Sequence, residues 1–235
     1  GTVTQAATKN VTASGLELQG AGDYTLTDTT NSVTTIAGST SGTVKYVNAG
    51  ALDVGTVTTA GLTSAANVTL NAQTGDLTVS DVITSGGTVR LQSEAGNVTQ
   101  SAVITAATLG VNAGLGIGLD GATNVVSTTV AMNAASGDLL FTNANGYNIN
   151  TVTADGTAFT VANGLGATGD ITLSTVTGTV TQAATKNVTA SGLELLGAGA
   201  YTLTNSGNAV TTIAANTTNT ISYRDTDALD VGAVG

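Results

Sequence analysis

The stretch Asn67-Val-Thr-Leu-Asn-Ala72 decides the fold once it is set beside Thr88-Val-Arg-Leu-Gln-Ser93, Thr108-Leu-Gly-Val-Asn-Ala113 and Thr129-Val-Ala-Met-Asn-Ala134. The four share one pattern, and their first apolar residues, Val68, Val89, Leu109 and Val130, stand 21, 20 and 21 positions apart. A second series runs through GDLTVS from Gly75, GNVTQS from Gly96 and GDLLFT from Gly137. Each member is a short strand with alternate apolar residues, opened by Gly-Asp or Gly-Asn turn chemistry. No helical period is present, and Thr and Val, stiff at χ1, fit a pleated sheet better than a helix. Like strands returning every 20–21 residues describe stacked coils, with Val, Leu and Ile inward and Thr, Ser and Asn outward. Each coil then bonds to the next at about 4.8 Å. A β-sandwich also spaces its strands evenly but has no reason to repeat residues at a fixed interval. The expected fold is all-β: a right-handed parallel β-helix (β-solenoid) with coils of about 20–22 residues.

Longer repeats lie above this period, as solenoids grow by duplication. Gly1–Leu18, GTVTQAATKNVTASGLEL, recurs unchanged at Gly178–Leu195, an offset of 177. The match continues without a gap to Gly235, and 40 of the 58 aligned positions are identical. Residues 1–235 therefore read as one continuous solenoid, with a long unit at 1–177 and the start of the next at 178–235. A weaker echo has an offset of 95: Val3-Thr4-Gln5 meets Val98-Thr99-Gln100, Gly15 meets Gly110, Tyr46 meets Phe141, and Thr56-Val57-Thr58 meets Thr151-Val152-Thr153. The second half-unit, 177 less 95 or 82 residues, is expected to have lost part of a turn. Gly1 begins in mid-pattern, so the chain reads as a piece of an array.

Composition excludes much chemistry. The 235 residues include no Pro, Cys, His or Trp. Without His and Cys the usual metal ligands, the Ser-His and Cys-His nucleophile pairs and disulfides are all missing. Five basic residues against fifteen acidic ones, a net charge of −10, argue against nucleic acid or an anionic membrane as partner. The uncharged runs Ala95–Leu119 and Leu195–Tyr223 are long enough to span a bilayer, but polar residues interrupt both and neither has a helical period. No membrane insertion is expected.

The carboxylates are the remaining candidates for acid–base work. Asp23, Asp76, Asp138 and Asp170 each follow a Gly at a strand start, a turn position where Asp is expected to bond local amides. Glycoside hydrolysis needs two carboxylates facing one another across the scissile bond, and the basic residues that a lyase would add are single: Lys9, Lys45, Arg90, Lys186 and Arg224. Gly114–Gly121, GLGIGLDG, is one partial copy of a calcium-binding repeat that works only in tandem. Asp225 and Asp227 are replaced by Asn48 and Gly50 in the first copy. Thr-x-Thr pairs begin at Thr2, Thr25, Thr56, Thr151, Thr175 and Thr202, at irregular spacings of 23, 31, 95, 24 and 27, so they read as solvent-facing strand threonines rather than an ice-binding array. The expectation is no enzyme, no metal and no cofactor. One polar row stands out. Aligning the coils places Asn71, Gln92, Asn112 and Asn133 at one site, where stacked amides are expected to bond along the axis as a structural polar ladder.

The phrases GDLTVSDVITSGGTVRLQSEAGNVTQ (Gly75–Gln100) and GDITLSTVTGTVTQ (Gly169–Gln182) resemble the repeats of filamentous-haemagglutinin-type exoproteins, giant adhesins secreted by the two-partner route. The resemblance covers essentially the whole chain and lies in repeat style. It implies a right-handed β-helix shaft at the cell surface or outside a bacterial cell, acting in adhesion or biofilm.

The functional expectation is a structural shaft with a mechanical role. Its partners are neighbouring repeat units or identical chains stacked end to end, with cell-surface or matrix glycans as candidate ligands. The alternative is a carbohydrate- or ice-binding solenoid module using a Thr/Asn-rich face. Neither terminal coil has a polar cap, so the isolated piece is expected to associate through its ends.

Overall fold

The computed structural model describes all 235 residues and contains strands and turns but no helix. One parallel ladder runs its whole length. Val3 stands beside Tyr24, Val44, Val68, Val89, Leu109, Val130 and Ile149 in turn. It continues from Asn148 through Thr181 and Thr202 to Ser222, giving about 11 coils of a β-solenoid. At about 4.8 Å per coil the stack is about 50 Å long.

The middle coils have three sides. The first carries Val44–Asn48, Val68–Ala72, Thr88–Ser93 and the end of Ile104–Ala113; the second carries Leu52–Val54, Leu77–Val79 and Val98–Gln100; the third carries Leu62–Ser64, Ile83–Ser85 and the start of Ile104–Ala113. Alternate side chains point in, because the pleat has a period of two. Val68, Leu70 and Ala72, for example, join one continuous core of 44 buried residues.

Register partners lie 18 to 23 residues apart, around the sequence period, except in two longer coils. Val44 pairs with Val68, 24 on, and Ile149 with Gln182, 33 on. Each long coil carries an excursion, and each changes which side is which. At the first, the strand side holding Ser32–Val33 ends. Asn48 takes its place, with Val33 N–H donating to Asn48 Oδ1 (2.8 Å) and Asn48 Nδ2 donating to Val33 O (3.0 Å). The next side then splits: Ile36 pairs with Val54, but Gly38 pairs with Leu62 after an intervening loop. At the second, Asn143 does the same for Val126 (2.9 Å both ways), and the first side splits between Ile149 and Leu165. Val98 therefore lies on the second side although its counterpart Val3 lies on the first. The first half-unit spans four coils and one side. The shorter second half completes the eighth coil, so Val180 returns to the same side of the shaft as Val3.

One expectation is corrected here. The aspartates after glycine mostly brace the next coil rather than their own turn. Asp76 Oδ1 accepts from Asn97 N–H (2.7 Å), Asp23 Oδ1 from Thr43 N–H (2.7 Å) and Asp138 Oδ1 from Asp170 N–H (2.9 Å). In a solenoid the nearest unpaired amide at a corner belongs to the neighbouring coil, 4.8 Å away, because the strands leave little chain for a local turn.

Candidate functional site: an axial strap across the first side

Residues 150–164 leave the first side after Ile149 and rejoin it at Leu165, in register with Val130 and Met132 of the coil before. Between, Thr151–Val152 and Ala162–Asn163 form a short antiparallel pair, in a molecule whose other strand-to-strand pairings are parallel. A two-stranded hairpin is marginal in water, and this one lies back along the axis over the coils that precede it. Val152, Phe159 and Ala162 bury themselves on Ala131 as a second core, outside the main one. The platform is small by necessity. A Cβ on Gly110 would stand 2.6 Å from Val152 Cγ1 and 2.9 Å from Phe159 Cζ.

Polar contacts carry the strap further down the shaft. Thr160 donates from N–H and Oγ1 to Gln92 Oε1 (2.8 and 3.0 Å), and Asn112 Nδ2 donates to Thr160 O (3.0 Å). Arg90 Nε donates to Thr153 O (2.9 Å). Thr69 Oγ1 donates to Asp155 Oδ2 (2.7 Å), and Lys45 forms an ion pair with Asp155. Burial pushes the Asp155 carboxyl up, but the bonds from Lys45 and Thr69 and the charges of Lys45 and Arg90 together hold it below the usual carboxylate range. Lys45, Thr69, Arg90, Gly110 and Ala131 are consecutive members of one register column. The strap thus ties five coils, about 19 Å of shaft. It makes Thr69 and Ala131 fully buried although both face outward.

The polar row forms the column beside this one. Asn71, Gln92, Asn112 and Asn133 stand in register, between Val47 on one side and Gly166 on the other. Their amides do not form an unbroken stack. Only Asn133 Nδ2 donates directly to a neighbouring amide, Asn112 Oδ1 (3.1 Å). Asn71 and Gln92 both donate to Glu94 Oε1 (3.0 and 3.4 Å), while Gln92 and Asn112 meet through Thr160. The strap takes bonds that the stack would otherwise use.

A smaller flap of the same design follows Val54. Thr56 bridges Ala60, and Val57 covers Gly15, where a Cβ would meet its methyl groups at 3.0 Å. Glu17 accepts Thr58 N–H (2.7 Å) and Thr59 N–H (3.2 Å), and bonds led by Thr59 Oγ1 hold its carboxyl down to about 2. At the far end Val234 stands over Gly192 in the same way.

Sequence reading missed the strap residues and took Lys45 and Arg90 as solitary. A signal existed. Gly15 with Thr56-Val57-Thr58, and Gly110 with Thr151-Val152-Thr153, recur at one offset, a glycine each time matched to a valine that covers it. No three His, Cys, Asp or Glu residues gather into a group that could hold a metal ion. Compared with known families, curated proteins and solved structures, the chain finds no match.

Proposed function

We propose that the chain is part of the structural shaft of a large extracellular repeat protein, a filament or adhesin of a bacterial cell surface, with a mechanical role and no catalysis. The observation that carries this reading is that the first 58 residues of the 177-residue unit return at 178–235 with many of the same internal contacts. Gln5 Nε2 donates to Lys9 O and Asn31 Oδ1 (2.6 Å each), and Gln182 Nε2 donates to Lys186 O and Asn208 Oδ1 (2.6 Å each). Thr8 and Thr185 take the same left-handed turn, φ 62° and 66°. A unit that repeats its interior in this detail supports a role as a stackable length of rod. The likeness of its repeats to filamentous-haemagglutinin-type exoproteins points the same way. Electron microscopy of the chain tests the reading: a rod about 50 Å long is expected, and a compact globule would overturn it.

A second reading rests on the third side. Ser39, Thr63, Thr84 and Thr105 form a column with one hydroxyl per coil, and the first three line an open groove with Gln19. Such a row supports a carbohydrate- or ice-binding module. Glycan-array binding or ice-growth inhibition by the chain, abolished by Thr63→Val with Thr84→Val, would favour it over the shaft.

A further inference from the structure

We propose that the pocket at the free end of the strap binds a neutral saccharide, whose hydroxyl groups Asp23, Asn67 and Arg90 hold. The site lies on the first side, away from the third-side groove, and rests on neither reading above. Its volume is about 360 Å³, and no apolar side chain lines it. It opens sideways between two outward columns, with Asp23, Thr43 and Asn67 in one and Thr25, Lys45 and Arg90 in the other. Each of these coils has a neighbour on both faces. Asp155 closes the pocket from the strap.

The lining holds bonding capacity that the fold leaves unused. Arg90 gives Nε and Nη2 to Thr153 (2.9 and 3.3 Å) and has no carboxylate at ion-pair distance, so Nη1 is without a partner. Asn67 uses Oδ1 for Thr88 N–H (2.8 Å) and keeps Nδ2 free; Asp23 uses Oδ1 for Thr43 N–H (2.7 Å) and keeps Oδ2 free. A sugar hydroxyl both donates and accepts, so it fits a site where free donors stand beside free acceptors. An apolar ligand would strand those groups. Charge decides between a neutral ligand and an anion. Lys45 and Arg90 balance Asp23 and Asp155, and an anion would also meet the field of a chain with net charge −10.

The second copy of the same coils shows that the shaft does not require these groups. Ala200 stands where Asp23 does, and Ser222 where Lys45 does. Thr220 N–H, the counterpart of Thr43 N–H, donates to Asn219 Oδ1 instead (2.8 Å). The strap accounts for Lys45, through Asp155. Nothing on the protein accounts for the free Asp23 Oδ2 and Asn67 Nδ2.

The test follows the isotopically labelled full chain by NMR. It is titrated with the methyl glycosides of glucose, galactose, mannose and N-acetylglucosamine, and separately with inorganic sulfate and glucuronate. At least one neutral glycoside is expected to shift the Asn67 side-chain amide and Arg90 Nε–H saturably. Asp23→Ala places the second copy's residue there; Asn67→Asp keeps an oxygen for Thr88 N–H but removes the free donor. Each is expected to weaken binding about tenfold, the scale of one hydrogen bond in a polar site, and the rest of each spectrum reports that the variant is folded. Thr63→Val with Thr84→Val is expected to change nothing. No shift at Asn67 and Arg90 with any neutral glycoside, a response to the anions alone, or full affinity in both pocket variants would overturn the proposal. Binding lost in the Thr63 and Thr84 variant would also overturn it, while favouring the third-side groove.

Discussion

At the scale of single residues, the tightest constraint is Gly110. It stands at an outward position between the buried Leu109 and Val111, yet Val152 and Phe159 leave no room for a side chain. Gly110→Val is expected to lift the strap without unfolding the shaft, since the strap can move and the coil ladder cannot. Limited proteolysis should then cut within residues 150–164 at least tenfold faster. Gly118→Ala makes the control, because a Cβ there meets Thr99 Cγ2 at an ordinary 3.7 Å. Equal cleavage in the two variants would contradict the packing argument. Phe159→Ala empties the strap's own core, and truncating a buried Phe costs about 3–5 kcal/mol. Hydrogen exchange should speed at residues 150–164 and stay unchanged at Val68–Ala72. The corner aspartates are different. Asp76→Asn keeps an oxygen for Asn97 N–H and is expected to be nearly neutral, while Asp76→Ala strands that amide and should cost about 1 kcal/mol in urea unfolding.

At the scale of elements, the coils were legible in the sequence and the strap was not, for one physical reason. A coil's inward residues meet copies of themselves one coil away, so packing selects like residues at a fixed interval, and Val68, Val89, Leu109 and Val130 display it. The strap meets nothing like itself. Thr69 and Asp155 are 86 residues apart, and Lys45, Arg90, Gln92 and Asn112 each offer a different group to it. The polar row was legible as a column, but its bonding depended on Thr160, which no period announces. The small flap supplies a pH test. Glu17's carboxyl is held from an ordinary 4.5 down to about 2 chiefly by the flap's Thr59 and Thr58, with a smaller share from Gln19 on its own strand. That stabilisation is complete above the ordinary value and is lost as pH falls through about 2. Amide exchange at Thr58 and Thr59 is expected to stay protected at pH 4 and to open near pH 2; opening between pH 4 and 5 would contradict it. Glu17→Gln should leave the flap looser at neutral pH and remove the acid transition.

At the scale of the whole molecule, two kinds of cohesion act along the axis. The ladder joins each coil to its neighbours alone, so a solenoid pulled from its ends gives way from the outside inward. The strap joins coils that do not touch, from Lys45 to Ala131, and its contacts must fail together before any coil beneath it can leave. The proposed mechanical role rests on that difference, and single-molecule pulling between Gly1 and Gly235 tests it most directly. The account predicts that the outer coils unravel first, in steps of about 70 Å for a coil of some 21 residues. The five strapped coils should then release in one larger event at higher force, an event that Phe159→Ala with Asp155→Asn removes. A uniform series of single-coil steps at one force, the same with and without those substitutions, would contradict it.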